Sequence, residues 1–140
     1  MRLLNLILFC SIYLNLNAQT TDLEKYNKEK QEILNLILNS NQFDSIYSFK
    51  TVYLASNELI SINTPLILKR KKCKIKVFEK DVLLQQKLPY VILGSFTLDI
   101  MNPTGASVQI YSSSTRSNLN IYLKKNNSHW IIENHKIFED

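Results

Sequence analysis

The residue types that could do chemistry are few in this chain, and they form no known catalytic or metal-binding pattern. The two histidines, His129 and His135, lie six residues apart on what should be one strand, where alternate side chains share a face. A metal ion would need a third ligand, for which Glu133 is the nearest candidate, and the spacing matches no known ligand set. No neighbouring carboxylate is in place to orient either histidine as a general base. We therefore predict surface histidines, no metal and no cofactor.

Other candidate groups also have a structural explanation. Cys73 lies among cations, which lower the pKa of a thiol and would favour a reactive thiolate. Its alternation with Ile75 and Val77 instead indicates a small core residue. An acid–base enzyme would need a carboxylate in an enclosed cavity, and the candidates are Asp99, Glu133 and Glu79. Asp99 alternates with two apolar residues, so we expect it to be solvated.

A basic run is the most unusual local feature. Six of the eight residues from 69 to 76 are cationic: Lys69, Arg70, Lys71, Lys72, Lys74 and Lys76. Such a cluster could hold a polyanion by releasing its counterions, for example anionic lipid headgroups, cell-surface polysaccharide or extracellular DNA. The alternative is a solvated edge strand, where lysines discourage pairing with other sheets. No aromatic residue is interleaved with the run, which argues against a stacking site for single-stranded nucleic acid.

The first 18 residues have the layout of a secretory signal. Arg2 precedes an apolar run from Leu3 to Leu14, and Ala18 supplies the small residue for cleavage. The run is shorter than the roughly 20 residues of a membrane span. Phe9 before Cys10 does not suit a lipoprotein signal, although an uncleaved or lipid anchor stays an alternative. We predict export to the periplasm or beyond, which argues against intracellular nucleic acid as a partner.

Residues 19–140 have the composition of one globular domain. The chain is 45% hydrophobic and 21% charged, unlike a disordered protein. Its 2 glycines and 3 prolines exclude glycine-rich phosphate cradles, and 2 cysteines with 2 histidines are too few for a disulfide scaffold or a zinc finger. Removing the signal takes away one basic residue and no acidic one, which leaves 16 basic and 12 acidic residues and a net charge of +4. The many Lys, Asn and Ile residues are typical of an AT-rich bacterial genome.

The periodicity predicts a long helix followed by strands. Residues 22–39 carry an apolar face of Leu23, Tyr26, Ile33, Leu34, Ile37 and Leu38, and we place Lys25, Lys28, Glu29 and Glu32 on the opposite face. Alternation predicts strands at 52–62, 66–69, 73–77, 91–101, 106–110, 119–123 and 130–138, with a short helix at 81–87. Short connections make the C-terminal half an antiparallel meander. We expect an α+β fold, with the first helix packed on a curved antiparallel sheet.

Aromatic residues are concentrated in the predicted sheet. They could line a ligand pocket or fill the core against the helix. These residues are Tyr90, Phe96, Tyr111, Tyr122, Trp130 and Phe138. The hydroxyl-rich stretch 112–115 lies in a predicted loop and lacks the Gly-x-Ser-x-Gly context of a hydrolase nucleophile.

From Lys74 to Glu139 the order of elements resembles small exported proteins of the NTF2-like (cystatin-like, cone-shaped) superfamily. A short helix precedes the strand 90–96, then comes 106–110, and Leu123-Lys124-Lys125 leads into Trp130-Ile131-Ile132. The resemblance implies a bent sheet wrapped around helices, often with a pocket at the wide end. It implies no particular activity, because that superfamily holds enzymes and binding modules alike. No catalytic residue is carried over, since no Asp–His or Tyr–Asp arrangement matches.

The sequence therefore favours a small exported, non-catalytic module that binds a small ligand or a protein partner. Two alternatives stay open: an enzyme with an acid–base pocket, and an inhibitor or immunity protein for a secreted enzyme. A net charge of +4 argues against a basic target for such an inhibitor and allows an acidic one.

Overall fold

The computed structural model describes residues 21–61, 63–69, 74–99 and 104–139. The predicted signal at 1–18, residues 70–73 of the basic run and the turn residues 102–103 lie outside the described residues. Helix α1 covers 21–38, and two short helices follow, α2 (Asn41–Ile46) and α3 (Lys80–Gln85). The strands are β1 (Thr51–Ala55), β2 (Lys74–Phe78), β3 (Val91–Leu98), β4 (Gly105–Ser112), β5 (Ser117–Asn126) and β6 (His129–Glu139).

All six strands form one sheet in the order β2-β1-β3-β4-β5-β6. The meander from β3 to β6 is antiparallel, as the short connections predict. The prediction of a wholly antiparallel sheet was wrong, because β1 pairs in parallel with both β2 and β3. Each of these parallel pairings is joined by a longer connection, and the connection into β3 contains α3. The fold is α+β with a mixed sheet.

Helix α1 packs on one side of the sheet through the face that its periodicity predicts. Ile33, Leu34, Ile37 and Leu38 are buried against strand residues such as Ile121. The cavity between helix and sheet that Leu34, Leu54 and Ile110 line holds about 10 Å³, no more than a single water molecule needs. Leu23 was predicted for the same face but is 60% exposed. The interior is therefore a filled apolar core.

Helix α2 was missed by the sequence prediction, which ends the first helix at 39 and expects a strand next, at 52–62. Ser40 is its N-cap, with a side-chain oxygen that accepts a hydrogen bond from the Phe43 backbone N–H. Phe43 and Ile46 are buried in the same core as α1. Helix α2 therefore continues the helical layer on that side of the sheet.

Two of the predicted strands also need correction. The strand predicted at 52–62 ends at Ala55, and residues 66–69 are extended but pair with no strand. Their alternation has another cause, because Leu66 and Leu68 pack on the core while Ile67 stays exposed. The predicted strand at 73–77 is confirmed as β2 over its described part, and the helix predicted at 81–87 is confirmed as α3.

Two bulges change which side chains share a side of the sheet. The pairing of β3 with β4 shifts between Leu93 and Ser95, and the pairing of β6 with β5 skips Glu133. A bulged residue has no partner on the neighbouring strand. Every residue after it therefore points to the side of the sheet opposite to the one that simple alternation predicts. The effect on the histidines is described below.

Candidate functional site

An open groove lies beside helix α1, on the surface of the core. Its volume is about 460 Å³, within the range of small-molecule sites. Three pieces of chain line it. The residues are Glu32, Asn35 and Leu36 of α1 with Asn39 directly after it, Ile67 and Lys69 of segment 65–69, and Ser128 of the β5–β6 turn with His129 and Trp130 of β6.

The first wall of the groove is segment 65–69, which amide side chains hold along α1. Gln31 Nε2 donates to the Pro65 carbonyl at 2.8 Å, and Asn35 Oδ1 accepts from the Ile67 N–H at 2.8 Å. Asn39 Oδ1 accepts from the Lys69 N–H at 2.6 Å, and its Nδ2 donates to the Ile67 carbonyl at 2.9 Å.

These amides are spaced four residues apart, so they stand in one row on the helix surface. Their hydrogen bonds to the backbone of segment 65–69 take the place of those that a neighbouring strand would make. Since Asn39 holds Lys69, that cation lies at the C-terminal end of the α1 side of the groove.

The second wall is the β5–β6 hairpin. Asn127 and Ser128 form its two-residue turn with φ of 45° and 72°, as a type I′ turn requires. His129 follows with its Nδ1 3.1 Å from the Asn127 carbonyl oxygen, and Trp130 turns toward the helix.

Trp130 is fixed in place by a buried carboxylate on α1. Its Nε1 donates to Glu29 Oε2 at 2.6 Å, and Lys125 Nζ donates to Glu29 Oε1. The Lys125 ammonium also lies 5.5 Å from the centre of the indole ring. Glu29 is only 9% exposed and Trp130 7%. These three side chains clamp the hairpin to α1.

The clamp decides the charge state of Glu29. Burial raises the pKa of this carboxyl, but the hydrogen bonds from Lys125 and Trp130 and the charges of Lys125 and Lys25 outweigh it. The pKa of Glu29 is therefore held below its ordinary value, and the group is an ionised hydrogen-bond acceptor at neutral pH. Its oxygens are both in use, so its role is to position Trp130.

Glu29 is the residue that the sequence interpretation placed wrongly, on the solvated side of the helix. A signal for its true position existed. Glu29 follows Tyr26 by three residues and precedes Ile33 by four, which is the spacing of the apolar face itself. A carboxylate at such a position needs a buried partner. The sequence could therefore have indicated that Glu29 has a buried partner, but it could not have identified Trp130 and Lys125 as those partners.

The two histidines do not share a side of the sheet, contrary to the prediction. Trp130 and Ile132 point to the α1 side, and after the bulge at Glu133 so does His135, which pairs with the buried Ile121. His129 directly precedes Trp130, so alternation places it on the side of the sheet that faces away from α1. Only His129 lines the groove. Among the described residues no cluster of three metal-ligating side chains occurs.

The carboxylates that an acid–base enzyme would need are on the surface. Asp99, Glu133 and Glu79 are all exposed, and none of them lines the groove. The described members of the basic run behave differently from one another. Lys69 lines the groove, whereas Lys74 and Lys76 are exposed on β2, an edge strand of the sheet. Cys73 lies outside the described residues.

The aromatic residues divide between core and surface. Trp130 and Tyr90 are buried, and Phe96 packs edge-on against Tyr26 with ring centres 6.0 Å apart. Tyr122 and Phe138 are instead exposed, on the side of the sheet that faces away from α1. The predicted core role is therefore confirmed for Trp130, Tyr90 and Phe96, and Trp130 also lines the groove, whereas Tyr122 and Phe138 do neither.

Comparison of the chain with protein-family models, with curated proteins and with solved structures gives no match. Within the described ranges, no helix has the length and apolar character needed to cross a membrane.

Proposed function

We propose that the protein is a small exported, non-catalytic module that binds a ligand or a segment of a protein partner in the groove beside Trp130. The observation that carries the proposal is the contrast between the two places where a ligand could sit. The space between helix and sheet is filled, whereas the surface groove offers about 460 Å³. Amide side chains hold one wall of that groove, and Glu29 holds the other by accepting hydrogen bonds from Trp130 and Lys125.

The groove combines an apolar surface with charged ends. Leu36, Ile67 and Trp130 supply carbon surface, while Glu32 lies near one end of the helical lining and Lys69 near the other. A matching ligand would place an apolar group over Ile67 and an anionic group at Lys69. The NTF2-like or cystatin-like architecture belongs to this proposal, supported by a helix packed on a sheet that ends in a long meander.

Binding in the groove can be tested through Trp130, the only tryptophan of the chain. A fragment and short-peptide library is screened for compounds that change its fluorescence, and each hit is retested on two variants. Ile67→Asp puts a charge into the groove, and Leu84→Asp is its control on α3, because the two side chains are similarly exposed at 57% and 51%. We expect hits to lose affinity by about tenfold or more in Ile67→Asp and to keep it in Leu84→Asp. Equal affinity for both variants would contradict the groove.

The basic run supports a second candidate, a polyanion-binding edge, because Lys74 and Lys76 project from an exposed edge strand. We expect salt-sensitive retention of the protein on an anionic resin. Replacement of Lys71, Lys72 and Lys74 by Ser should abolish it, since each phosphate or sulfate contact that is lost removes counterion release. Unchanged retention of that variant would leave these lysines only the role of keeping the edge unpaired.

A further inference from the structure

The side of strands β3–β6 that faces away from α1 is covered by no described element except near Ile92 of β3, which packs on the cluster beneath α3. We call it the open face. Helix α3 packs on that side at the other end of the sheet, against Ala55 and Tyr90. Solvated sheet faces are common in antiparallel meanders. This one differs from an ordinary solvated face in its exposed aromatic rings, its unused amides and its charge.

A shallow polar cup of about 110 Å³ lies in the middle of the open face. Ser95, Ser107, Gln109 and Asn120 line it together with Tyr122. The Asn120 Oδ1 atom is shielded from solvent and has no hydrogen-bond partner among the described residues. Gln109 Oε1 lies over Gly94, where a Cβ would be 3.5 Å away. The fold thus leaves one amide oxygen of the cup without a partner, beside the side chains of Ser107 and Gln109, which can donate or accept hydrogen bonds.

Two exposed aromatic rings flank this cup. Tyr122 is 41% exposed and Phe138 48%. Phe138 pairs with Asn118, four residues before Tyr122, so strand geometry separates the two rings by about 14 Å. Asn120 and Lys136 pair with each other midway between them. The rings and the polar centre therefore follow one line across the sheet.

The charge of the open face has a single sign along this line. Lys136 lies between the rings, and Lys124 follows Tyr122 by two residues on the same side of β5. Among the paired residues of β3–β6 on this side there are two lysines and no carboxylate, while Glu133 is the unpaired residue of the bulge and Asp99 directly follows β3. The lysines along the line of the rings therefore favour a ligand with a negatively charged group there.

We propose that the open face binds an anionic oligosaccharide. Sugar rings would stack their C–H faces on Tyr122 and Phe138, because aromatic rings offer flat apolar area at little entropic cost. Their hydroxyls would bond Ser107, Gln109 and Asn120, and a carboxylate or sulfate would meet Lys136. Single-stranded nucleic acid also stacks on aromatic rings, but within a DNA strand the deoxyribose has no free hydroxyl to offer the amides and serines of the cup, whereas each sugar of an oligosaccharide has several. Neutral hydrogen-bonding groups outnumber the cations, which suits a polyhydroxylated ligand.

The test uses three probes of similar length: oligogalacturonate as the anionic sugar, a maltooligosaccharide as the neutral sugar, and oligo-dT. We expect oligogalacturonate to bind most tightly. The double change Tyr122→Ala and Phe138→Ala should weaken that binding by about tenfold or more. Phe49→Ala is the control, since Phe49 has the same 48% exposure on the connection before β1. Lys136→Gln should weaken binding and reduce its dependence on salt.

The outcomes separate the alternatives. Tighter binding of oligo-dT, equal binding of the neutral sugar, or no binding of any probe would each overturn the proposal. So would full affinity in the double variant, since the anionic sugar would then bind elsewhere. Unchanged urea midpoints show that the variants are folded, and the single change Lys136→Gln provides a second test if the double variant is not. The groove is not part of this surface, so failure here leaves the groove proposal standing.

Discussion

Replacing Glu29 by alanine should lower the free energy of unfolding by more than the same change at an exposed glutamate of the same helix. Glu29 accepts hydrogen bonds from Trp130 Nε1 and from Lys125 Nζ. Trp130 is 7% exposed, so its indole N–H would find no substitute partner in water. Such an unsatisfied buried donor costs about 1–3 kcal/mol of unfolding free energy.

The lysine contributes less to this cost. Its side chain is 20% exposed and can turn into solvent, so losing the ion pair adds about 1 kcal/mol. The free energy of unfolding should therefore fall by about 3 kcal/mol in Glu29→Ala. In Glu29→Gln the amide oxygen can still accept from Trp130, and the loss should be about 1 kcal/mol.

Urea unfolding followed by Trp130 fluorescence measures both values, provided that the slope with denaturant is unchanged. Glu32→Ala is the matched control, because Glu32 is an exposed glutamate on the same helix, and it should change stability by less than about 0.5 kcal/mol. The reasoning is refuted if Glu29→Ala costs no more than Glu32→Ala, or if Glu29→Gln costs as much as Glu29→Ala.

The same clamp predicts how stability depends on pH. The pKa of Glu29 in the folded protein lies below its ordinary value of 4.5. Its contribution to stability is therefore complete above pH 4.5 and is lost as the pH falls from there through the lowered pKa. Glu29→Gln removes this titration, so wild type and variant should converge in stability on acidification. A stability difference that stays constant down to pH 2 would contradict the assignment.

Two further changes test hydrogen bonds that hold the helical layer to the rest of the chain. Asn39→Ala should expose the Lys69 amide to faster hydrogen exchange while the Ile67 amide stays protected, because Asn39 holds only the first of these N–H groups; equal acceleration of both would contradict the row of amides. Ser112→Ala should cost about 1 kcal/mol in thermal or urea unfolding. The hydroxyl of this fully buried serine donates to the Ile46 carbonyl at 2.8 Å, and an unchanged stability would show that the bond contributes nothing.

Local patterns predicted most of the secondary structure. The apolar period of α1 and the alternation of β4 and β5 depend only on which side faces the core, and both are confirmed. Helix α2 was missed because Asn39-Ser40-Asn41 reads as a turn, whereas Ser40 acts as an N-cap once Phe43 and Ile46 find the core. Burial of those two side chains is a tertiary effect that no local pattern contains.

The candidate site was harder to predict because its parts come from distant points of the chain. Residues 66–69 alternate like a strand, and only the amides of α1 explain why they pair with a helix. The bulge at Glu133 reverses the side to which His135 points, and nothing in the sequence marks it. Glu29 meets Trp130 across 101 positions of sequence. Helical spacing could indicate its burial but not its partner.

The central claim is that this protein binds at its surface groove and not between helix and sheet. The most direct measurement is a map of amide and methyl NMR shifts caused by hits from the fragment library. We expect shifts at Leu36, Ile67, His129 and the Trp130 indole. Shifts centred on Leu54, Leu93 and Ile110, in the filled interior, would contradict it.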